Sequence, residues 1–169
     1  MKYERFEDLP VWKAAIDLAV QIYTLTTKPI FRGCGDLKNQ MERSSFSISN
    51  NIAEGFERGT TQEVLTFLYS ARGSAGELRS MLLFLERLLH FDSLKSEISN
   101  LKFLAENVSR QLRSWADSFQ NSDIKGQRYL TEKTRRAMTA SSERQKSLEQ
   151  LRRSQEENMA RVQKAGEAE

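Results

Sequence analysis

Proline is absent from the last 140 of the 169 residues, because Pro10 and Pro29 are the only prolines in the chain. Proline interrupts helices more strongly than any other residue, so long helices can form anywhere after residue 29. The alternation of apolar and polar residues that is typical of strands never continues for more than a few positions. The sequence therefore predicts an all-α protein.

Four segments with apolar residues at three- and four-residue intervals follow one another in the first 120 residues. They cover about residues 9–26, 36–58, 60–90 and 93–119. At 1.5 Å per residue, helices of these lengths would extend for roughly 27 to 46 Å. Because the connections are short, each helix must run back along the preceding one, which predicts an antiparallel up-down-up-down four-helix bundle.

Three of these segments begin near residues that are suited to capping a helix. Asp8 and Asp92 are predicted N-caps of the first and fourth helices, and Pro10 suits the first turn because its missing N–H would be unpaired there. Thr60 and Glu63 have the spacing of a capping box at the start of the third helix.

The composition changes after residue 120. Residues 1–120 contain 15 Lys+Arg and 15 Asp+Glu, whereas residues 121–169 contain 11 and 8 and supply the whole net charge of +3. Large apolar residues also become sparse there. We therefore expect the bundle to cover residues 1–120 and a charged C-terminal extension, helical or disordered, to cover residues 121–169.

Membrane insertion and secretion are not indicated by the sequence. The single cysteine, Cys34, excludes an intramolecular disulfide, and the charged N-terminus does not resemble a signal peptide. No apolar run approaches the roughly 20 residues that cross a bilayer. We expect a cytoplasmic protein that does not enter the membrane.

Two stretches in the predicted bundle contain residues that helices tolerate poorly. Six of the eight residues from 44 to 51 are serine or asparagine, and Gly73 and Gly76 lie in the middle of the third helix. A glycine there costs about 1 kcal/mol relative to alanine. Close packing between the second and third helices would explain the small residues. So would a polar surface that contacts a second subunit or a ligand.

Charged residues flank both stretches in complementary sets. They are Arg43, Glu54 and Arg58 on the second helix and Arg72, Glu77 and Arg79 on the third. Ion pairs that fix the register of the helices are the favoured interpretation, and a binding site is the alternative.

Several motifs in this region resemble a known bacterial family. They are Phe6-x-Asp8-Leu9-x-Val11-Trp12, Gln40-x-x-Arg43, Ser47-Ile48-x-x-Asn51-Ile52-Ala53-Glu54-Gly55-x-x-Arg58 and Ala71-x-Gly73-Ser74-x-x-Glu77. Over about residues 3–118 the chain resembles the four-helix-bundle family often labelled 23S ribosomal-RNA intervening-sequence proteins. The C-terminal extension lies outside this resemblance.

The resemblance implies a homo-oligomer, commonly a pentameric ring, and most similar proteins have no demonstrated activity. A related branch, the accessory variability proteins of diversity-generating retroelements, binds a reverse transcriptase and its RNA, so such an effector is an implied partner. The resemblance also implies a set of signature positions that serve subunit packing or ligand binding. They are Arg43, Asn51, Glu54, Arg58, Gly73, Ser74 and Glu77.

Residue types that commonly carry out catalysis are scarce. The only histidine, His90, lacks neighbouring Cys, Asp or Glu residues with the spacing of metal ligands, and Cys34 lacks a basic partner. No glycine-rich phosphate loop follows a strand. We expect no enzymatic activity, no cofactor and no metal.

A basic cluster in the extension is the candidate nucleic-acid site. It consists of Lys125, Arg128, Tyr129, Lys133, Arg135 and Arg136. The cations would neutralise phosphates, the tyrosine would stack on a base, and the copies in an oligomer would add their contacts. The first hypothesis is a non-catalytic oligomeric scaffold for RNA or DNA. The alternatives are an adaptor whose extension docks a partner protein and an oligomeric structural protein without a dedicated ligand.

Overall fold

The computed structural model describes residues 3–121, together with 144–145, 147–150 and 152–153. Four long helices are present: α1 (Pro10–Thr26), α2 (Gly35–Glu57), α3 (Thr61–Glu86) and α4 (Lys95–Gln120). No strand occurs in these described ranges. The predicted all-α four-helix bundle is therefore confirmed.

Contacts between helices show their antiparallel order. Thr26, at the end of α1, donates a hydrogen bond to Glu42 near the start of α2. Lys102, near the start of α4, donates to both carboxylate oxygens of Glu86 at the end of α3, each at 2.7 Å. The chain therefore reverses direction at each connection, as the short connections predict.

The core is formed by the apolar sides of all four helices. The largest fully buried side chains are Phe91, Leu18, Ile22, Leu25, Met41, Ile48, Ile52, Leu68, Leu78, Leu82, Leu85 and Ile98. Helix α2 differs from the others because half of its eight buried positions are small: Ser44, Ser45, Ser49 and Gly55. Its attachment to the core therefore depends on the four large residues that remain.

The predicted caps at Asp8 and Asp92 are wrong. The N-cap residues of α1 and α4 are Leu9 and Leu94, and neither makes a side-chain capping hydrogen bond. Both aspartates belong instead to 3₁₀ turns, Phe6–Asp8 and Leu89–Leu94, that precede these helices.

The predicted cap at Thr60 is confirmed. Its hydroxyl oxygen accepts a hydrogen bond from the backbone N–H of Glu63 at 3.3 Å, and the hydroxyl lies 2.7 Å from the Glu63 carboxylate. This contact satisfies one of the backbone donors that an uncapped helix start leaves unpaired.

Two helix connections meet at one end of the bundle. The buried rings of Phe31, in the connection between α1 and α2, and Phe91, in the connection between α3 and α4, have centroids 4.9 Å apart. His90 Nε2 donates a hydrogen bond to the Ile30 carbonyl at 2.9 Å. We call these contacts the aromatic clasp, because they join the α1–α2 hairpin to the α3–α4 hairpin.

The chain divides into two compact units, Met1–Arg128 and Tyr129–Glu169. The predicted boundary after residue 120 stays a prediction. In the second unit, residues 144–145, 147–150 and 152–153 are helical. Of the helices in the described residues, none combines the length and apolar character needed to cross a membrane.

Candidate binding site between helices α2 and α3

The signature positions lie on α2, on α3 and at the residue that follows α2. Arg43, Asn51 and Glu54 belong to α2, Arg58 is its C-cap residue, and Gly73, Ser74 and Glu77 belong to α3. The predicted basic cluster, Lys125, Arg128, Tyr129, Lys133, Arg135 and Arg136, lies outside the described residues.

Serine and asparagine side chains connect α2 to α3. The Asn51 amide donates to the Ser47 carbonyl at 2.7 Å and to its hydroxyl oxygen at 3.0 Å. Ser74 on α3 donates to the same hydroxyl oxygen at 3.0 Å. One hydrogen bond, from Ser74 to Ser47, therefore crosses the helix pair, and the Asn51 bonds within α2 hold the Ser47 hydroxyl in place for it, which partly offsets the poor helix propensity of these residues.

Glu54 and Arg58 also have contacts within the chain. They form an ion pair at i,i+4 spacing, and the Arg58 guanidinium lies 5.0 Å from the centroid of the Phe67 ring on α3. The cation above the aromatic face adds a contact between the two helices. Both signature residues thus contribute to the packing of α2 on α3.

The close approach of α2 and α3 occurs at Gly55 rather than at the two glycines in α3. A Cβ atom at Gly55 would lie 2.8 Å from Cβ of Phe67, whereas Cβ atoms at Gly73 and Gly76 would meet no atom within 4 Å. Close packing within the chain is therefore the wrong explanation for Gly73 and Gly76. Both are exposed on α3.

Replacing Gly55 by alanine should lower the free energy of unfolding by about 1–3 kcal/mol, because the new methyl group overpacks against Phe67. Urea denaturation followed by circular dichroism would measure this loss. Gly35→Ala is the matched control, since a Cβ there meets no atom within 4 Å. It should stabilise the fold by about 0.4–1 kcal/mol, and similar effects of the two changes would contradict the close approach.

No ion pair joins α2 to α3 in the described residues, so the prediction of ion pairs between these helices is wrong. Within the predicted sets, only Glu54 and Arg58 pair with each other. Arg79 pairs with Glu106 of α4 at 3.5 Å and not with α2. The other charged residues of the predicted sets have no ion-pair partner among the described residues: Arg43, Arg72 and Glu77. Their charges are therefore available for a ligand or a partner.

Two of these charges line a polar depression of about 350 Å³ between the helices. It is lined by Gln40, Arg43, Ser44 and Ser47 on α2 and by Glu77 on α3. Ser44 is 4% exposed, and its hydroxyl, which has no hydrogen-bond partner among the described residues, remains accessible from the depression. A ligand with both hydrogen-bond acceptors and donors would satisfy the groups that line this depression.

The signature positions do not include Gln40, Ser44 or Ser47, although Gln40 and Ser47 belong to quoted motifs and the two serines belong to the polar stretch 44–51. A signal for them was present. Positions 40, 43, 44 and 47 have the i, i+3, i+4, i+7 spacing that places four side chains on one face of a helix. All four are polar, so this face of α2 is not part of the core.

A second depression, of about 830 Å³, lies between α1 and α4. Its lining includes apolar residues from both helices and from the segment before α1: Tyr3, Leu9, Val11, Leu104, Val108 and Trp115. None of the seven signature residues, all of which the structure describes, lines it. We call it the α1–α4 groove.

Residues suited to metal binding or catalysis are not grouped in the described ranges. No set of three His, Cys, Asp or Glu residues there could hold a metal ion. His90 is engaged with the Ile30 carbonyl in the aromatic clasp, and the partly buried Cys34 is the N-cap residue of α2.

The fold places the chain among small antiparallel helical bundles. Its signature residues lie on two adjacent helices, α2 and α3, beside the polar face of α2. The model of the 23S rRNA-intervening sequence protein family matches residues 7–114, more than half of the chain. The chain belongs to this family. No curated protein matches it.

Proposed function

We propose that the protein is a non-catalytic homo-oligomeric scaffold that associates with RNA. The observation that carries this proposal is the exposed position of Gly73 and Gly76 in the interior of α3, with open space where their side chains would be. Two such glycines cost about 1 kcal/mol each. Contacts within the chain do not repay that cost, so a contact outside the chain is the physical reason to retain them.

Self-association is the contact that fits these glycines. Ser74 faces α2, and Gly76 follows it by two residues, about 200° around the helix, so Gly76 faces away from α2. A glycine on the free side of a helix lets a second helix approach more closely than the usual 8–10 Å or so. The family resemblance favours five subunits.

Association with RNA is supported by two observations. The name of the matching family refers to an intervening sequence of 23S rRNA. The extension contains the basic cluster Lys125–Arg136, whose positive charges would neutralise phosphates. In this proposal the bundle assembles the oligomer and the extension holds the nucleic acid, with a reverse transcriptase as one further partner.

The absence of catalysis is part of the proposal. The one histidine donates to a backbone carbonyl and packs against Phe91, so its position is explained by the aromatic clasp. The expectation of a cytoplasmic location is unchanged.

An adaptor for a partner protein is the second candidate, and the α1–α4 groove favours it. A groove of this size with an apolar lining suits an amphipathic helix of another protein. In this case the groove would hold a helix of the partner protein, and the extension would dock the same partner rather than RNA.

Native mass spectrometry of the full chain, purified without nuclease, tests the first proposal. We expect a multiple of the 19.5 kDa subunit that carries nucleic acid. Gly73→Leu should give a subunit of unchanged helicity that no longer assembles, because the new side chain fits the open space but blocks a close helix contact. Ser99→Leu, at an exposed position on α4, is the control and should assemble normally. A monomeric wild-type chain would exclude the scaffold.

A further inference from the structure

We propose that the polar depression between α2 and α3 binds an unpaired guanine base, an inference that rests on the RNA association proposed above. The depression has a volume of about 350 Å³, which lies within the range of roughly 300–1,000 Å³ that is typical of sites for small ligands. Its lining residues differ from those of the predicted basic cluster. Guanine recognition would therefore add base selection to phosphate binding.

The charged groups that line the depression require a ligand that carries hydrogen-bond acceptors on one edge and donors on another. Arg43 on α2 has only donors, Glu77 on α3 has only acceptors, and neither has an ion-pair partner among the described residues. A phosphate would satisfy the arginine but would be repelled by the glutamate. A ligand that offers acceptors to one side and donors to the other satisfies both.

Ser44 is a further polar group at the depression. The residue is 4% exposed and lines the depression, and its hydroxyl has no hydrogen-bond partner in the part of the chain that the structure describes. The hydroxyl oxygen is not among the fully buried unpaired atoms, so water reaches it from the depression. A bound base would replace this water and hydrogen-bond to the hydroxyl.

Guanine matches this arrangement better than the other bases. Its N1–H and N2–H₂ are adjacent donors that can meet both oxygens of a carboxylate, here Glu77. Its O6 and N7 are adjacent acceptors that match the fork of an arginine, here Arg43. Adenine, cytosine and uracil lack two adjacent donors, two adjacent acceptors, or both.

Phe84 offers a surface for a neighbouring base. It follows Glu77 by seven residues on α3, so both lie on the same side of the helix, and it is 52% exposed. Proteins that read single-stranded RNA commonly stack unpaired bases on aromatic rings and bind their edges through polar side chains. The depression and this ring would hold two successive nucleotides.

Fluorescence anisotropy of the full chain with labelled oligouridine RNA tests the proposal. The RNAs differ only at one central position, which is guanosine, inosine, adenosine or uridine. We expect the guanosine RNA to bind about tenfold more tightly than the adenosine and uridine RNAs, with inosine intermediate because it lacks the N2 amino group. Arg43→Lys retains the positive charge but removes the planar guanidinium. Arg43→Lys and Glu77→Gln, each made alone, should abolish the preference for guanosine while leaving binding to oligouridine unchanged.

Glu57→Gln provides the matched control, because it removes the same charge from an exposed position of α2 outside the depression. This variant should keep the preference for guanosine. Equal binding of all four RNAs by the wild-type chain would overturn the guanine site and leave the association with RNA intact. A preference that survives Glu77→Gln would also overturn it. No binding of any RNA would overturn the proposed function as well.

Discussion

Replacing Ile48 by alanine should lower the free energy of unfolding by about 2–5 kcal/mol. Ile48 is fully buried in α2, where serine and glycine occupy half of the buried positions. The remaining large residues therefore carry most of the apolar contact between this helix and the core. Total stabilities of natural domains are about 5–15 kcal/mol, so this one change would remove a large part. Urea denaturation monitored by circular dichroism would measure it.

Phe46→Ala is the control for this prediction, since Phe46 lies on the same helix but is 42% exposed. Its removal should change the free energy of unfolding by no more than about 0.5 kcal/mol, as for most surface positions. Equal losses in the two variants would contradict the orientation of α2 in the bundle.

Neutralising the basic cluster should produce the largest effect on RNA binding. The variant carries glutamine in place of Lys125, Arg128, Lys133, Arg135 and Arg136. For single strands, the logarithm of the binding constant falls with the logarithm of the salt concentration by about 0.7 for each neutralised phosphate. The loss of five contacts should therefore reduce this slope by up to about 3.5 and weaken binding most strongly at low salt.

A second variant with the same change in charge is the control for this experiment. It carries glutamine at five basic positions further along the extension: Arg144, Lys146, Arg152, Arg153 and Lys164. If both variants lose the same slope, binding depends on net charge rather than on the cluster. An unchanged slope in the first variant would move the adaptor hypothesis ahead of the scaffold.

The fold could be predicted from the sequence because its main signals are local. The periodic spacing of apolar residues identifies four helices, and the short connections fix their antiparallel order. The capping box at Thr60 was also visible, since it depends on two residues three positions apart. The caps at Asp8 and Asp92 were predicted wrongly because each aspartate lies inside a 3₁₀ turn that precedes the long helix, and the sequence does not show where such a turn ends and the helix begins.

The site could be predicted only in part, because it depends on the rotation of each helix about its axis. Gly55, Gly73 and Gly76 are indistinguishable in sequence, since all three lie inside a helix. The hydrogen bond between Ser74 and Ser47 fixes the rotation of α3, which leaves Gly73 and Gly76 exposed and places Gly55 against Phe67. Arg43 and Glu77, from the two complementary sets of charges, line the same depression without forming an ion pair, and residue spacing alone does not show this.

The aromatic clasp has a consequence for how the bundle opens. At the clasp end, an ion pair between Lys28 and Glu97 also joins the α1–α2 connection to α4. At the opposite end α2 and α3 are linked by a short connection, whereas α1 and α4 are flanked by the apolar groove near Leu9 and Trp115. Among the described residues, the two hairpins are thus joined at the clasp end, whereas a groove lies between α1 and α4 toward the other end. Opening by thermal motion would begin at the groove, and protection of amide hydrogens from exchange would rise along α1 and α4 toward the clasp.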